Sequence, residues 1–222
     1  MTNFVIFTLA VLLLSTDVEC GKNKEVKELE KRVDTLEQML KDSKSTSVSS
    51  STFTRWGHTE CGGDAEVVYT GYMAGSRLGQ LGGGSNYLCL TPEPKFATVD
   101  KATNPISLLF GARFKFDDDK EFSEALCVVC MIPRSSVIMI PGTNQCKDGW
   151  NLEYWGYLVS QSYIQKRTEF ICMDENPKAQ QNRTNKDFSA ALVKVETRYG
   201  KLPEQYPVGY ELTCAVCSFG SR

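Results

Sequence analysis

The chain has 222 residues, ample for one sizeable domain with small attachments, and a formal charge of −2. That balance excludes a global field that would draw in DNA, heparin or anionic lipid; no nucleic-acid partner is expected, and only local patches remain for such contacts.

Residues 1–20 read as a signal peptide. Met1 to Leu14 is nearly all apolar, and Phe4 to Leu14 has the length of a signal h-region but is too short to span a bilayer. The polar run Ser15-Thr16-Asp17-Val18-Glu19-Cys20 stops it at once. No other stretch approaches ~18 apolar residues, so a secreted, extracellular protein without membrane insertion is expected. Cleavage after Cys20 leaves 25 acidic against 25 basic residues and removes one of nine cysteines. Cleavage a few residues earlier instead keeps Cys20, where it would link chains covalently.

Residues 21–41 read as a coiled coil. Val26, Leu29, Val33, Leu36 and Leu40 recur at the alternating three- and four-residue spacing of an a/d seam, among charged residues and without Gly or Pro. About two heptads are marginal as an isolated helix, so partner helices are required. The order Arg32-Val33-x-x-Leu36-Glu37 places Arg32 at g and Glu37 at e, and it resembles a short trimerisation motif in which the arginine bridges to a neighbouring helix. A homotrimer is the expectation. Residues 42–52, rich in Ser and Thr, read as a linker.

From residue 53 to 222 the chain alternates short apolar runs with Gly, Pro and Asn. The runs are Glu66 to Thr70, Ile106 to Phe116, Ala125 to Ile132, Ser136 to Ile140, Tyr154 to Val159, Glu169 to Met173 and Tyr210 to Phe219. Val, Ile, Tyr and Phe dominate them, which predicts a mainly β, disulfide-stapled globular domain behind the helix. The glycine-dense stretch Gly79 to Asn86 lacks the Gly-Lys-Ser/Thr of a phosphate cradle and reads as a wide turn.

Cys61, Cys89, Cys127, Cys130, Cys146, Cys172, Cys214 and Cys217 form an even set in an oxidising compartment, hence four disulfides and no free thiol. Cys127/Cys130 and Cys214/Cys217 have zinc-like spacing, but they lie in β-like runs without a knuckle turn. Residues three apart on a strand point to opposite faces, so each cysteine of a pair should find a different partner. No metal and no cofactor are expected. His58 is the sole histidine, too little for a catalytic triad beside the structural role that Trp56 and Cys61 suggest for its neighbourhood. Asp117-Asp118-Asp119 lacks EF-hand spacing and reads as a solvated turn. Trp56, Trp150 and Trp155 suit either a core or a sugar-stacking platform, with the core favoured. Asn182-Arg183-Thr184 is a glycosylation sequon, which makes the chain a glycoprotein once secreted. No catalytic constellation emerges, and no enzyme is expected.

Several segments together resemble the non-collagenous domain of invertebrate short-chain collagen C4-like, or spongin-type, proteins. They are Thr54 to Cys61, Gly82 to Leu90, Cys127 to Cys130, Ile140 to Trp150, Glu153 to Leu158 and Gly209 to Cys217. The chain departs from the family in two ways. It has no Gly-x-y run, with a coiled coil standing where a collagen-like segment would, and Tyr199 and Glu204 occupy places where the family tends to carry two more cysteines. The resemblance implies an extracellular-matrix component, multimerised by its helix and binding an extracellular protein or glycan. The alternative is a lectin-like recognition, defence or venom factor.

Overall fold

The structure is a computed structural model that describes residues 24–41, 49–97, 107–116, 121–180, 189–198 and 202–220. The predicted signal peptide, Asn182, Tyr199 and the aspartates from Asp117 to Asp119 lie outside the described residues. The chain divides into two compact units, Met1–Val48 and Ser49–Arg222.

In the first unit, residues 24–41 form a single helix, α1, with every residue exposed. Its composition explains it: Leu, Glu, Lys, Arg and Met are good helix formers, and the sequence offers no breaker.

The second unit is a mixed β-sheet of eleven strands. They are β1 (Ser51–Trp56), β2 (Glu66–Gly75), β3 (Leu88–Leu90), β4 (Phe110–Phe114), β5 (Ser123–Ile132) and β6 (Ser136–Pro141), then β7 (Asn151–Gln161), β8 (Ile171–Asp174), β9 (Ala179–Gln180), β10 (Ala190–Lys194) and β11 (Thr213–Phe219). The hydrogen-bonded order runs β10-β4-β2-β5-β1-β8-β7-β11-β6, and β10 also pairs with β7. That extra pairing closes a ring of seven strands from β10 round to β7. Beyond it, β7, β11 and β6 continue as an antiparallel extension with an open edge at β6.

The ring is not a simple barrel. β2 and β5 are antiparallel, yet β4 pairs antiparallel with both. This geometry requires β2 and β5 to splay where their ladder ends, with β4 crossing the gap: Ala74 and Gly75 of β2 meet Gly111 and Phe110, while Glu124 and Ser123 of β5 meet Arg113 and Phe114.

Register sorts the side chains into two cores. One face carries Met73, Ala112, Phe114, Ala125, Cys127, Val159, Ile171, Met173 and Leu192, which fill the inside of the ring together with Tyr87 and Phe116. The opposite face of the same strands carries Phe53, Val128, Cys130, Ile132, Leu158 and Cys172, which pack with Tyr154, Cys214 and Val216 into a second core. Strand β5 is shared by both, which is why Ala125 to Ile132 reads as a continuous apolar run rather than an alternating one.

The cysteines follow the same sorting. Cys127 turns into the ring and bonds Cys89; Cys130, three residues on, faces the other core and bonds Cys61. Cys214 bonds Cys172, and Cys217 bonds Cys146. Each Cys-x-x-Cys pair is therefore divided between two partners, as strand geometry requires.

Several elements differ from the sequence reading, the short strands β3 and β9 among them. Strand β1 begins at Ser51, inside the stretch read as linker, because Ser51 to Trp56 pairs residue by residue with Ile132 to Cys127. Thr and Ser accept an extended backbone readily when a neighbour supplies the ladder. The run from Ile106 narrows to Phe110–Phe114, and Leu108 and Leu109 are left exposed. Strand β10, Ala-Ala-Leu-Val-Lys, was not anticipated, since alanines carry little strand signal. It is fixed by pairing on both sides, with β4 and with β7.

Candidate functional site

Among the described residues, helix α1 presents a long apolar stripe that belongs to neither core. Val26, Leu29, Val33, Leu36 and Leu40 are each 51–61% exposed within the single chain. Arg32 and Glu37 flank the stripe at g and e, and Glu25 and Glu30 take the same positions one heptad earlier. The stripe costs free energy in water unless another apolar surface covers it.

In the second unit, the aromatic residues singled out by the sequence divide by position. Cys127 lies opposite Trp56, Trp56 beside Met173, and Met173 opposite Tyr157, so one layer crosses four strands. Trp56 and Tyr157 pack against the ring core. Trp155, on the same face of β7, lies 6.3 Å from Tyr157, and Phe116 meets Tyr157 edge-on at 5.5 Å. The Lys194 ammonium sits 3.9 Å from the Tyr157 ring centroid and 4.9 Å from that of Phe116, held by Glu211 at 2.9 Å. The cluster therefore holds a cation that the chain itself supplies. Trp150 stacks on Phe219 at 5.1 Å, away from that layer.

His58 follows Gly57, which adopts a positive φ of 82°. Its Nδ1 accepts the Glu60 backbone N–H at 3.1 Å. Burial lowers its pKa, and the nearby Arg55 and Lys178 charges lower it further, so the ring stays neutral and acts as an acceptor. Cys61, the neighbouring sulfur, is consumed in its disulfide with Cys130. Arg55 is engaged by Asp174, Nε to Oδ2 at 2.8 Å. This neighbourhood ties β1 to β8. Among the described residues no group of three or more His, Cys, Asp and Glu side chains is placed to hold a metal ion, and no helix is long and apolar enough to cross a membrane.

Two features escaped the sequence reading. The first is a buried charge network. Arg134 donates to Asp64 at 2.9 and 2.6 Å, to Glu153 at 2.9 Å and to the Ser218 hydroxyl at 2.7 Å. Nothing local in Pro133-Arg134-Ser135 signals it, since its carboxylates come from distant segments. The second is a cluster of loops with exposed apolar tips, of which Tyr163 at 97% and Leu81 at 87% are the most exposed. Its signal was present, as Tyr163-Ile164 stands in a polar segment between strands.

Comparison with protein-family models gives no match, and no curated protein is significantly similar to the chain.

Proposed function

We propose that the chain is a secreted homotrimeric protein of the extracellular matrix that acts by multivalent binding through its β unit. The observation that carries this reading is the α1 stripe, solvent-exposed in one chain and repeated at coiled-coil spacing, attached to a unit held by four disulfides. The stripe calls for further copies of itself, and the disulfides suit an oxidising exterior. The resemblance to the short-chain collagen C4-like domain points the same way. Joining three weak sites raises apparent affinity without any new contact.

The test uses the secreted protein beside a Leu29→Asp/Leu36→Asp variant. Light scattering coupled to size exclusion should give three chain masses for the first and one for the second. Binding to immobilised matrix preparations or a glycan array should fall about a hundred-fold in the variant. A wild-type monomer at micromolar concentration refutes the reading. Selective capture by one glycan class would favour the lectin-like alternative over a matrix role.

A further inference from the structure

We propose that the loops 76–87, 107–109 and 162–170 form a docking surface for an anionic lipid membrane, with Tyr163 and Ile164 entering the headgroup–acyl boundary. This goes beyond matrix binding and rests on the β unit alone.

The Gln165 N–H donates to the Ser162 carbonyl at 2.8 Å, which closes a turn with Tyr163 and Ile164 at its two central positions. Gly, Asn, Asp, Pro or Ser ordinarily occupies such positions. Here the tip carries a tyrosine 97% exposed and an isoleucine 70% exposed. Leu81 on the adjoining loop is 87% exposed, and Phe170 is exposed as well. Exposed apolar groups concentrated in this way mark a contact surface.

The tips are presented on a fixed frame. Tyr87 donates its hydroxyl to Thr168 at 2.8 Å, and the Glu169 N–H donates to the Ser85 carbonyl at 3.0 Å. Gln161 Nε2 donates to the Ser76 carbonyl at 3.0 Å, and Gln80 Nε2 reaches the Leu108 carbonyl at 3.4 Å. Three loops are thereby bound to one another and to the ring strands.

Charge selects the partner. Lys166 and Arg167 follow the tip and are exposed. Glu169, the acidic residue of that loop, has its carboxylate turned back to the Tyr87 N–H at 3.4 Å. A fluid interface accepts exposed tips spread over separate loops together. Tyrosine, apolar in body and polar at its end, suits the headgroup level, and the two cations suit anionic headgroups.

The experiment is sedimentation of the full secreted protein with vesicles of phosphatidylcholine, with and without phosphatidylserine. Binding is expected to the phosphatidylserine vesicles and to fall with salt. Tyr163→Asp/Ile164→Asp should weaken it at least about ten-fold. Lys166→Gln/Arg167→Gln should weaken it roughly ten-fold and flatten the salt dependence. Each variant should match wild type in circular dichroism and, in mass mapping of the unreduced protein, keep the pairs Cys61–Cys130, Cys89–Cys127, Cys146–Cys217 and Cys172–Cys214, which shows that the fold is intact. Wild type that stays in solution with both vesicles overturns the proposal, as does either variant binding like wild type. Tip-dependent capture by an immobilised matrix protein without vesicle binding also overturns it. The Leu29→Asp/Leu36→Asp chain should still bind vesicles, only more weakly, so failure of the trimer reading is told apart.

Discussion

At the scale of single residues, Arg134 is a buried charge held by three partners. It is 7% exposed, and its partner Glu153 has a side chain only 3% exposed. Breaking a buried pair by removing one partner leaves the other charge uncompensated, which typically costs ~3–5 kcal/mol. Arg134→Ala should therefore lower the unfolding free energy of the oxidised protein by an amount of that order, read as a lower denaturant midpoint without change in slope. An effect below about 1 kcal/mol would show that water reaches Glu153 and solvates it.

Tyr154 gives a second residue-scale outcome. Its ring is buried in the second core, and its hydroxyl donates to the Cys172 carbonyl at 2.9 Å. Burial pushes its pKa well above the usual phenol value, and Tyr87 is shifted the same way, again by burial first. The folded state thus holds these protons more tightly than the unfolded chain. Their contribution is fully present below the ordinary tyrosine pKa of ~10 and is lost as pH rises above it. Unfolding midpoints followed against pH should fall on the alkaline side, and Tyr154→Phe should make that fall shallower. An unchanged alkaline limb in the phenylalanine variant would remove Tyr154 from the account.

The same scale explains one glycine. A Cβ at Gly156 would collide with the Met173 carbonyl on the paired strand β8, where the backbones approach closely. Gly156→Ala therefore has to push β8 away from β7.

At the scale of elements, the proposed self-association of α1 would be tuned by the charges that flank its stripe. In a parallel bundle, g of one helix faces e of the next, so Arg32 meets Glu37 of its neighbour while Glu25 meets Glu30. An antiparallel bundle sets e against e and g against g, which opposes Glu30 to Glu37 and pairs Glu25 with Arg32. Arg32→Glu should weaken association about ten- to a hundred-fold across three pairs. Adding Glu37→Arg should restore it, as read by light scattering on dilution. A double variant no better than the single one would mean that the g and e charges do not meet between helices.

Strands show where sequence reading reaches its limit at this scale. Runs such as Ala125 to Ile132 and Ser136 to Ile140 were legible because branched and aromatic residues cluster there between turn signals. Strand β10 was not, because Ala190 and Ala191 owe their place to closing the ring between β4 and β7, a contact set by strands far away in sequence. Trp155 and Tyr157 were legible as aromatic, but the Lys194 and Phe116 that complete their cluster arrive from β10 and from the segment after β4.

At the scale of the whole molecule, the four disulfides span separations of 69, 38, 71 and 42 residues. Each link over such a loop removes unfolded-state entropy worth ~4 kcal/mol. Together they rival the ~5–15 kcal/mol net stability of a domain, so full reduction should unfold the β unit. The order of loss follows access. Cys61, Cys89 and Cys146 are half-buried, whereas Cys172 and Cys214 are both buried. Graded reduction with alkylation and mass measurement should find Cys172–Cys214 the last bond to open. Early loss of that bond would mean that the second core opens before the ring.

The sequence by itself determined the two-part plan, the helix and its seam, the mainly β character and the division of each Cys-x-x-Cys pair between different partners. All of these follow from local periodicity, which a linear reading measures directly. Which cysteine bonds which, the closure of the ring through β10, the Arg134 network and the joining of three loops around Tyr163 were decided only in three dimensions. Each depends on which segments lie side by side, and that is fixed by burying both faces of β5 at once, a condition on the packing of the whole unit that no single segment of sequence states.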